Sequence, residues 1–96
     1  MAQEKYILVE QYCKHSNIED TFINRLYEYG LIVFEEKQND LYIDENDISE
    51  IERMFRLHND LGINFEGLDV IRRMLNRMDK MEKEMDLLQK KLRLYE

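Results

Sequence analysis

The chain has no proline and no tryptophan, three glycines and one cysteine in 96 residues. Without proline, helices and strands must be stopped by glycine, by capping side chains or by turn residues. Gly30, Gly62 and Gly67 therefore punctuate the chain. A lone thiol, Cys13, cannot close an internal disulfide, which fits a reducing compartment. No apolar run approaches the ~20 residues that a membrane span needs. The opening Met1-Ala2-Gln3-Glu4-Lys5 is polar and no long apolar stretch follows it, so the expectation is no secretory signal and a cytoplasmic protein.

Catalytic and metal signatures are missing as well. There is no glycine-rich phosphate loop, no G-x-S-x-G, no H-E-x-x-H and no C-x-x-C. Cys13 and His15 lie two apart, with only His58 far downstream, whereas a zinc site needs about four convergent ligands. Neighbouring carboxylates such as Glu19-Asp20 and Glu35-Glu36 diverge on a helix or strand and make no acid–base couple. The expectation is no catalytic residue, no metal and no cofactor.

Positive charge is scarce where it would count for nucleic-acid binding. Residues 1–45 hold four basic residues against ten acidic ones, a net −6. Residues 46–70 add −4, and residues 71–96 carry +3, giving −7 in all. Duplex binding rests largely on Lys and Arg displacing phosphate counterions, so the acidic part is a poor DNA reader. It also repels anionic membranes and favours a basic protein partner. A chain of 96 residues allows one domain, or a small head with a tail, and self-association would help its stability.

What is present is helical periodicity with short apolar interruptions. Residues 6–9 read as a short strand or as the lead into a helix. Residues 9–15 make a short helix with Val9, Tyr12 and Cys13 on one side. Ser16-Asn17 is the turn, and Ser16 and Glu19 have capping-box spacing. Phe22, Ile23, Leu26 and Tyr27 then follow helical spacing, and Gly30 sits where a left-handed residue ends a helix. Two short helices around a tight turn predict a helix-turn-helix. Leu31-Ile32-Val33-Phe34 and Leu41-Tyr42-Ile43, separated by a polar segment from Glu35 to Asp40, predict a β-hairpin wing. Asp44 or Asp47 caps the next helix, Asp47 and Glu50 having capping-box spacing. Ile48, Ile51, Met54 and Phe55 form its apolar stripe, and Gly62 ends it.

Asn64 can cap a last helix over residues 65–95. Ile71, Met74, Met78, Met81, Met85, Leu88, Leu92 and Tyr95 are spaced 3-4-3-4-3-4-3, an unbroken a/d seam. So long a helix cannot cover its seam on so small a head. The expected solution is a homodimer, parallel or antiparallel, over a seam folded back on its own head. The methionines make the seam adaptable, which leaves a partner-binding seam as a further alternative. The fold expected is mainly α, with a winged helix-turn-helix head over residues 1–62. A C-terminal dimerisation helix, a coiled coil, follows over residues 63–96.

The order helix, turn, helix ending in Tyr29-Gly30-Leu31-Ile32, wing, helix and long helix resembles the MerR-type winged helix-turn-helix. Leu61-Gly62-Ile63-Asn64-Phe65-Glu66-Gly67 resembles the entry to that family's dimerisation helix. More closely, the chain resembles the CbpM family of chaperone modulators, which is related to MerR. The matching residues are Phe22-Ile23 with Leu26, Tyr29-Gly30-Leu31, the run from Leu57 to Asn64, Glu66-Gly67, and the tail ending Leu92-Arg93-Leu94-Tyr95. This resemblance implies a protein that binds the J-domain of a CbpA/DnaJ-type co-chaperone. It would thereby block stimulation of a DnaK-type chaperone. The partner-binding residues expected on that basis are Glu19, Asp20, Glu28, Glu35, Glu36 and Asp40 on the second helix and wing, with Arg25 and Tyr27 as rim contacts. The competing expectation is a MerR-like DNA-binding transcriptional regulator. Against it, Asn24 occupies the position of that family's recognition arginine, and Arg25 and Leu26 those of its tyrosines.

Overall fold

The computed structural model describes residues 5–96. Residues 1–4 of the polar opening, the acidic Glu4 among them, lie outside them. The elements are β1 (Tyr6–Leu8), α1 (Val9–Ser16), α2 (Asp20–Glu28), β2 (Glu35–Lys37) and β3 (Asp40–Asp44). A single 3-10 turn (Glu45–Asp47) leads to α3 (Ile48–Leu61) and the long α4 (Phe65–Arg93). The architecture is a mainly helical winged helix-turn-helix with a small antiparallel sheet and a long C-terminal helix.

Residues 6–9 divide between two elements: Tyr6–Leu8 is a strand, and Val9 starts α1 directly, with Leu8 still extended at φ −61° and ψ 127°. The sheet order is β1-β3-β2, both pairings antiparallel, with Ile7 opposite Ile43 and Glu36 opposite Leu41. Ile43, on the central strand, is fully buried. The hairpin departs from the expected wing. Its strands meet at Gln38-Asn39, whose φ values of 51° and 67° give the two-residue turn that matches strand twist. The first wing strand is therefore Glu35–Lys37, not Leu31–Phe34. Leu31 and Ile32 are apolar because they are buried in the core, at 6% and 5% exposure, and not because they pair.

Two capping boxes expected from spacing do not form. Asn17 turns left-handed at φ 63° to end α1, and the Ser16 hydroxyl accepts from Ile18 N at 3.2 Å, inside the turn. That leaves Glu19 at the start of α2 without a side-chain cap. Asp47 likewise precedes α3 uncapped, while Asp44 accepts from Asn46 N at 2.9 Å and caps the 3-10 turn instead. Glu50, the other half of the second box, pairs with Arg53 at 3.4 Å.

The glycine stops and the last cap are as expected. Gly30, at φ +71°, donates to Tyr27 O at 3.0 Å, and Leu31 N reaches back to Leu26 O at 2.9 Å. This is a Schellman end whose flanking leucines are both buried. Gly62 ends α3 left-handed at φ 69°. Asn64 Oδ1 accepts from Gly67 N at 2.8 Å and caps α4. A Cβ on Gly67 would stand 2.8 Å from Ile63 Cγ2 and 3.0 Å from Asn64 Oδ1, so the cap needs glycine there.

The core joins α1, α2, β3 and α3 through Tyr12, Ile23, Leu26, Ile43, Ile51 and Met54. The first turn of α4 belongs to it: Leu68 is 1% exposed and Phe65 packs against the cluster. Beyond Ile71, which is half-buried, the seam leaves the head. Met74, Met78, Met81, Met85, Leu88, Leu92 and Tyr95 are all more than half exposed, so the seam does not fold back.

Candidate functional site

Helix α2 buries Phe22, Ile23 and Leu26 and turns Asp20, Thr21, Asn24, Arg25, Tyr27 and Glu28 to solvent. The outward face thus carries a single cation. Arg25 is not free to grip a phosphate without losing other contacts: its guanidinium lies 5.3 Å from the Phe65 ring centre and 5.9 Å from that of Tyr29. Tyr29 stacks on Phe65 at 5.4 Å and 14°, and its hydroxyl donates to Glu66 Oε1 at 2.9 Å. That bond raises the Tyr29 pKa. The Glu66 carboxyl is lowered, first by its own backbone N–H and then by Tyr29. Arg25, Tyr29, Phe65 and Glu66 together brace the point where the long helix leaves the head. His58 closes the same cluster, its ring against Phe22 and Phe65 and its Nδ1 2.8 Å from Ile63 O. Tyr27 stacks on Phe34 at 4.5 Å and 13°, fixing the segment that enters the wing.

On the other side of α2 is an open groove of about 610 Å³. Its formation follows from the sheet register. Pairing Leu8 with Tyr42 carries the wing turn past the start of α1, and Asn39-Asp40-Leu41 overhangs the gap between α1 and the head of α2. The floor is apolar, from Leu8, Val9, Cys13 and Ile18. The walls carry Glu10 and Lys14 from α1, Glu19 just before α2, Asp20 and Asn24 from α2, and Asp40 from the wing. Four carboxylates face one ammonium. Cys13, half-buried in the floor, has its pKa raised by burial first and by Asp20 second, so the thiol is a small apolar side chain rather than a nucleophile.

Of the acids chosen from sequence, Glu19, Asp20 and Asp40 converge on this groove. Glu28, Glu35 and Glu36 do not line it; they are exposed at the far end of α2 and on the edge strand β2. Arg25 lines a second, smaller groove of about 380 Å³ with Phe22, Phe55 and Phe65. Glu10, Lys14, Asn24 and Leu41 line the groove beyond the residues expected from sequence. Their one sequence signal is the Gln38-Asn39 turn, which places the wing tip over α1.

Ion pairing separates the acids of the first half of the head from those of α3 and the long helix. Among the described residues the ion pairs are Arg53–Glu50 on α3 and Arg72–Asp69, Arg73–Asp69, Lys83–Asp79 and Lys90–Asp86 on α4. None reaches an acid between Glu10 and Glu45. Lys37, the wing's cation, lies 4.6 Å over the Tyr6 ring. Among the described residues no group of three or more His, Cys, Asp or Glu could hold a metal ion, and no helix is long and apolar enough to cross a membrane.

The family described as MerR HTH family regulatory protein matches residues 7–90 of this chain. No curated protein matches it.

Proposed function

The chain belongs to the MerR helix-turn-helix family of regulatory proteins, and within that family we propose that it is a non-enzymatic modulator acting on a protein. Its target is the J-domain of a CbpA/DnaJ-type co-chaperone in the cytoplasm. By occupying that J-domain it inhibits stimulation of a DnaK-type chaperone. A second copy of the chain joins it through the α4 seam.

One observation carries this reading. The outward face of α2 holds Asp20, Asn24 and Glu28, and its single cation, Arg25, rests on Phe65 and Tyr29. The acids of α1, α2 and the wing, unneutralised by ion pairs among the described residues, form a surface complementary to a basic protein helix. The resemblance of the Leu57–Gly67 segment to the chaperone modulators names the class of partner. In the structure that segment is the α3 end, the Asn64 cap and the Arg25–Phe65 brace, which hold head and seam in fixed relation.

Titrating the purified protein against an isolated J-domain tests the proposal. The expected result is saturable binding with loss of J-stimulated ATPase, weakened by salt mainly through slower association. No binding at micromolar concentrations together with full ATPase stimulation overturns it. A mobility shift on random duplex with a steep negative salt slope would instead favour transcriptional regulation.

A further inference from the structure

We propose that the groove between α1, the start of α2 and the wing turn seats one face of a lysine- and arginine-bearing amphipathic helix from the partner. For the identity of the partner this rests on the J-domain reading. The chemistry of the occupant follows from the groove itself.

The groove has two kinds of surface in the right places. Val9, Cys13 and Ile18 give an apolar floor, and Leu41, 39% exposed at the wing tip, extends it. Glu10, Glu19, Asp20 and Asp40 stand around that floor on three different elements. Lys14 is the only cation among them, and no ion pair in the described residues engages any of the four acids. Thr21 donates to Glu19 at 3.3 Å, which leaves that carboxylate its charge. An amphipathic helix laid in the groove would bury its apolar stripe on the floor while flanking Lys and Arg side chains reach both walls.

Other occupants fit less well. Phosphate backbones are repelled by the four acids. A metal ion would need three or more convergent ligands, and the described residues offer no such group. A neutral small molecule would be poorly enclosed, because the groove is open to solvent along its length. The aromatic groove beyond Arg25 lacks this rim: Glu19 is its one acid, and Arg25 opposes it.

The test uses the full chain, isotopically labelled, and two probes. One is an isolated J-domain. The other is a synthetic lysine–leucine amphipathic peptide of about 18 residues, long enough to form a helix by itself. Both are expected to shift the amides of Val9, Cys13, Ile18 and Leu41, and the J-domain is expected to displace the peptide. The pair Asp20→Lys with Asp40→Lys should weaken both probes by at least ~10-fold, as expected for reversing charges that face the ligand. The pair Glu45→Lys with Glu52→Lys, both exposed, changes net charge equally outside the groove and should weaken them by less than about 3-fold. Near-UV circular dichroism checks that both variants fold, and amide mapping on the native chain does not depend on them. A J-domain that binds but shifts residues elsewhere overturns the groove and leaves the J-domain reading intact. A peptide that binds in the groove while the J-domain does not bind supports the groove and overturns that reading. Equal losses in the two variants, or no shift with either probe, overturn the groove.

Discussion

In the head, Ile23, Leu26, Ile43 and Ile51 are fully buried, whereas along α4 Met78, Met85, Leu88 and Leu92 are each more than 60% exposed. Charge divides the same way. Two acids of the α4 shaft are matched within the helix, Asp79 by Lys83 and Asp86 by Lys90, both at 3.0 Å, while no ion pair among the described residues engages Glu82 or Glu84. The acids of the first half of the head have no such partners among the described residues. The head has thus buried most of its apolar residues and left the charges of its first half open. The shaft leaves its apolar seam open and matches part of its charge. A surface rich in unmatched acids invites a basic partner, and a bare a/d seam invites another helix. The two halves are built for two different contacts, held in register by Arg25, Tyr29, Phe65 and Glu66 at the junction.

The comparison breaks most visibly in the head. Leu26 is fully buried and sits where α2 turns into its Gly30 stop. Leu26→Ala is expected to destabilise the fold by about 3 kcal/mol, the cost of lost burial plus an unfilled cavity. Urea unfolding followed by circular dichroism measures it. A loss under about 1 kcal/mol would mean that the head depends on the shaft rather than on its own core.

The matching change in the shaft should do the opposite. Met81→Glu with Leu88→Glu places charge in the seam without touching the core. In the proposed dimer this is expected to lower the self-association constant by at least ~100-fold, since each buried carboxylate would lack a partner. Sedimentation velocity reads the change. The unfolding transition of the head should persist in the resulting monomer. If the wild-type chain sediments as a monomer at all concentrations, the seam does not pair with its own copy.

These contrasts were unevenly legible in the sequence. The seam was readable because a 3-4 repeat is a local pattern and α4 carries it from Ile71 to Leu92, Tyr95 lying just past the helix end at Arg93. Gly30, Gly62 and Asn64 were readable because helix ends have local chemistry. The wing was misplaced by several residues. Apolar β-branched residues at 31–33 resemble a strand, but Leu31 and Ile32 serve the core, and the true edge strand, Glu35–Lys37, is polar on both faces. Its turn, Gln38-Asn39, lacks the glycine that usually marks such hairpins. Spacing alone also suggested caps at Ser16 and Asp47 that the left-handed Asn17 and the 3-10 turn displaced. The groove was half legible. Charge pointed to Glu19, Asp20 and Asp40, but not to which acids would meet, because Glu10, Lys14 and Leu41 reach them only through the pairing of β1 with β3.

The junction offers a finer test. Asn64 accepts from Gly67 N and starts α4 at the point where head and shaft join. Asn64→Ala is expected to cost about 1 kcal/mol, and Asn64→Asp to keep most of the cap. Because Phe65 and Leu68, in the first turn of α4, pack into the core, the loss should appear in the head transition as well as in helix content at 222 nm. A loss confined to helix content would show that the first turn of α4 is not a working part of the core.

The smallest effect expected separates an unmatched acid from a matched one. Asp47 is half-buried between Asp44 and Glu50, and its pKa is raised, by burial first and then by those two charges. A raised carboxyl holds its proton more tightly in the folded chain than in the unfolded one. Its favourable share of stability is therefore present below the unfolded value of 3.8 and is lost as pH rises through the folded pKa. At neutral pH the ionised group opposes folding. Asp47→Asn should then raise stability at pH 7, by less than about 0.5 kcal/mol given its partial exposure, and the gain should vanish in acid. Asp79→Asn on the shaft removes the partner of Lys83 and should produce no gain at either pH. Thermal unfolding of both variants at neutral and acid pH decides between them. If Asp47→Asn lowers stability at pH 7, the attraction of the α3 N-terminus for a negative charge outweighs burial and repulsion. The open charge of the head would in that case stabilise the fold locally instead of straining it.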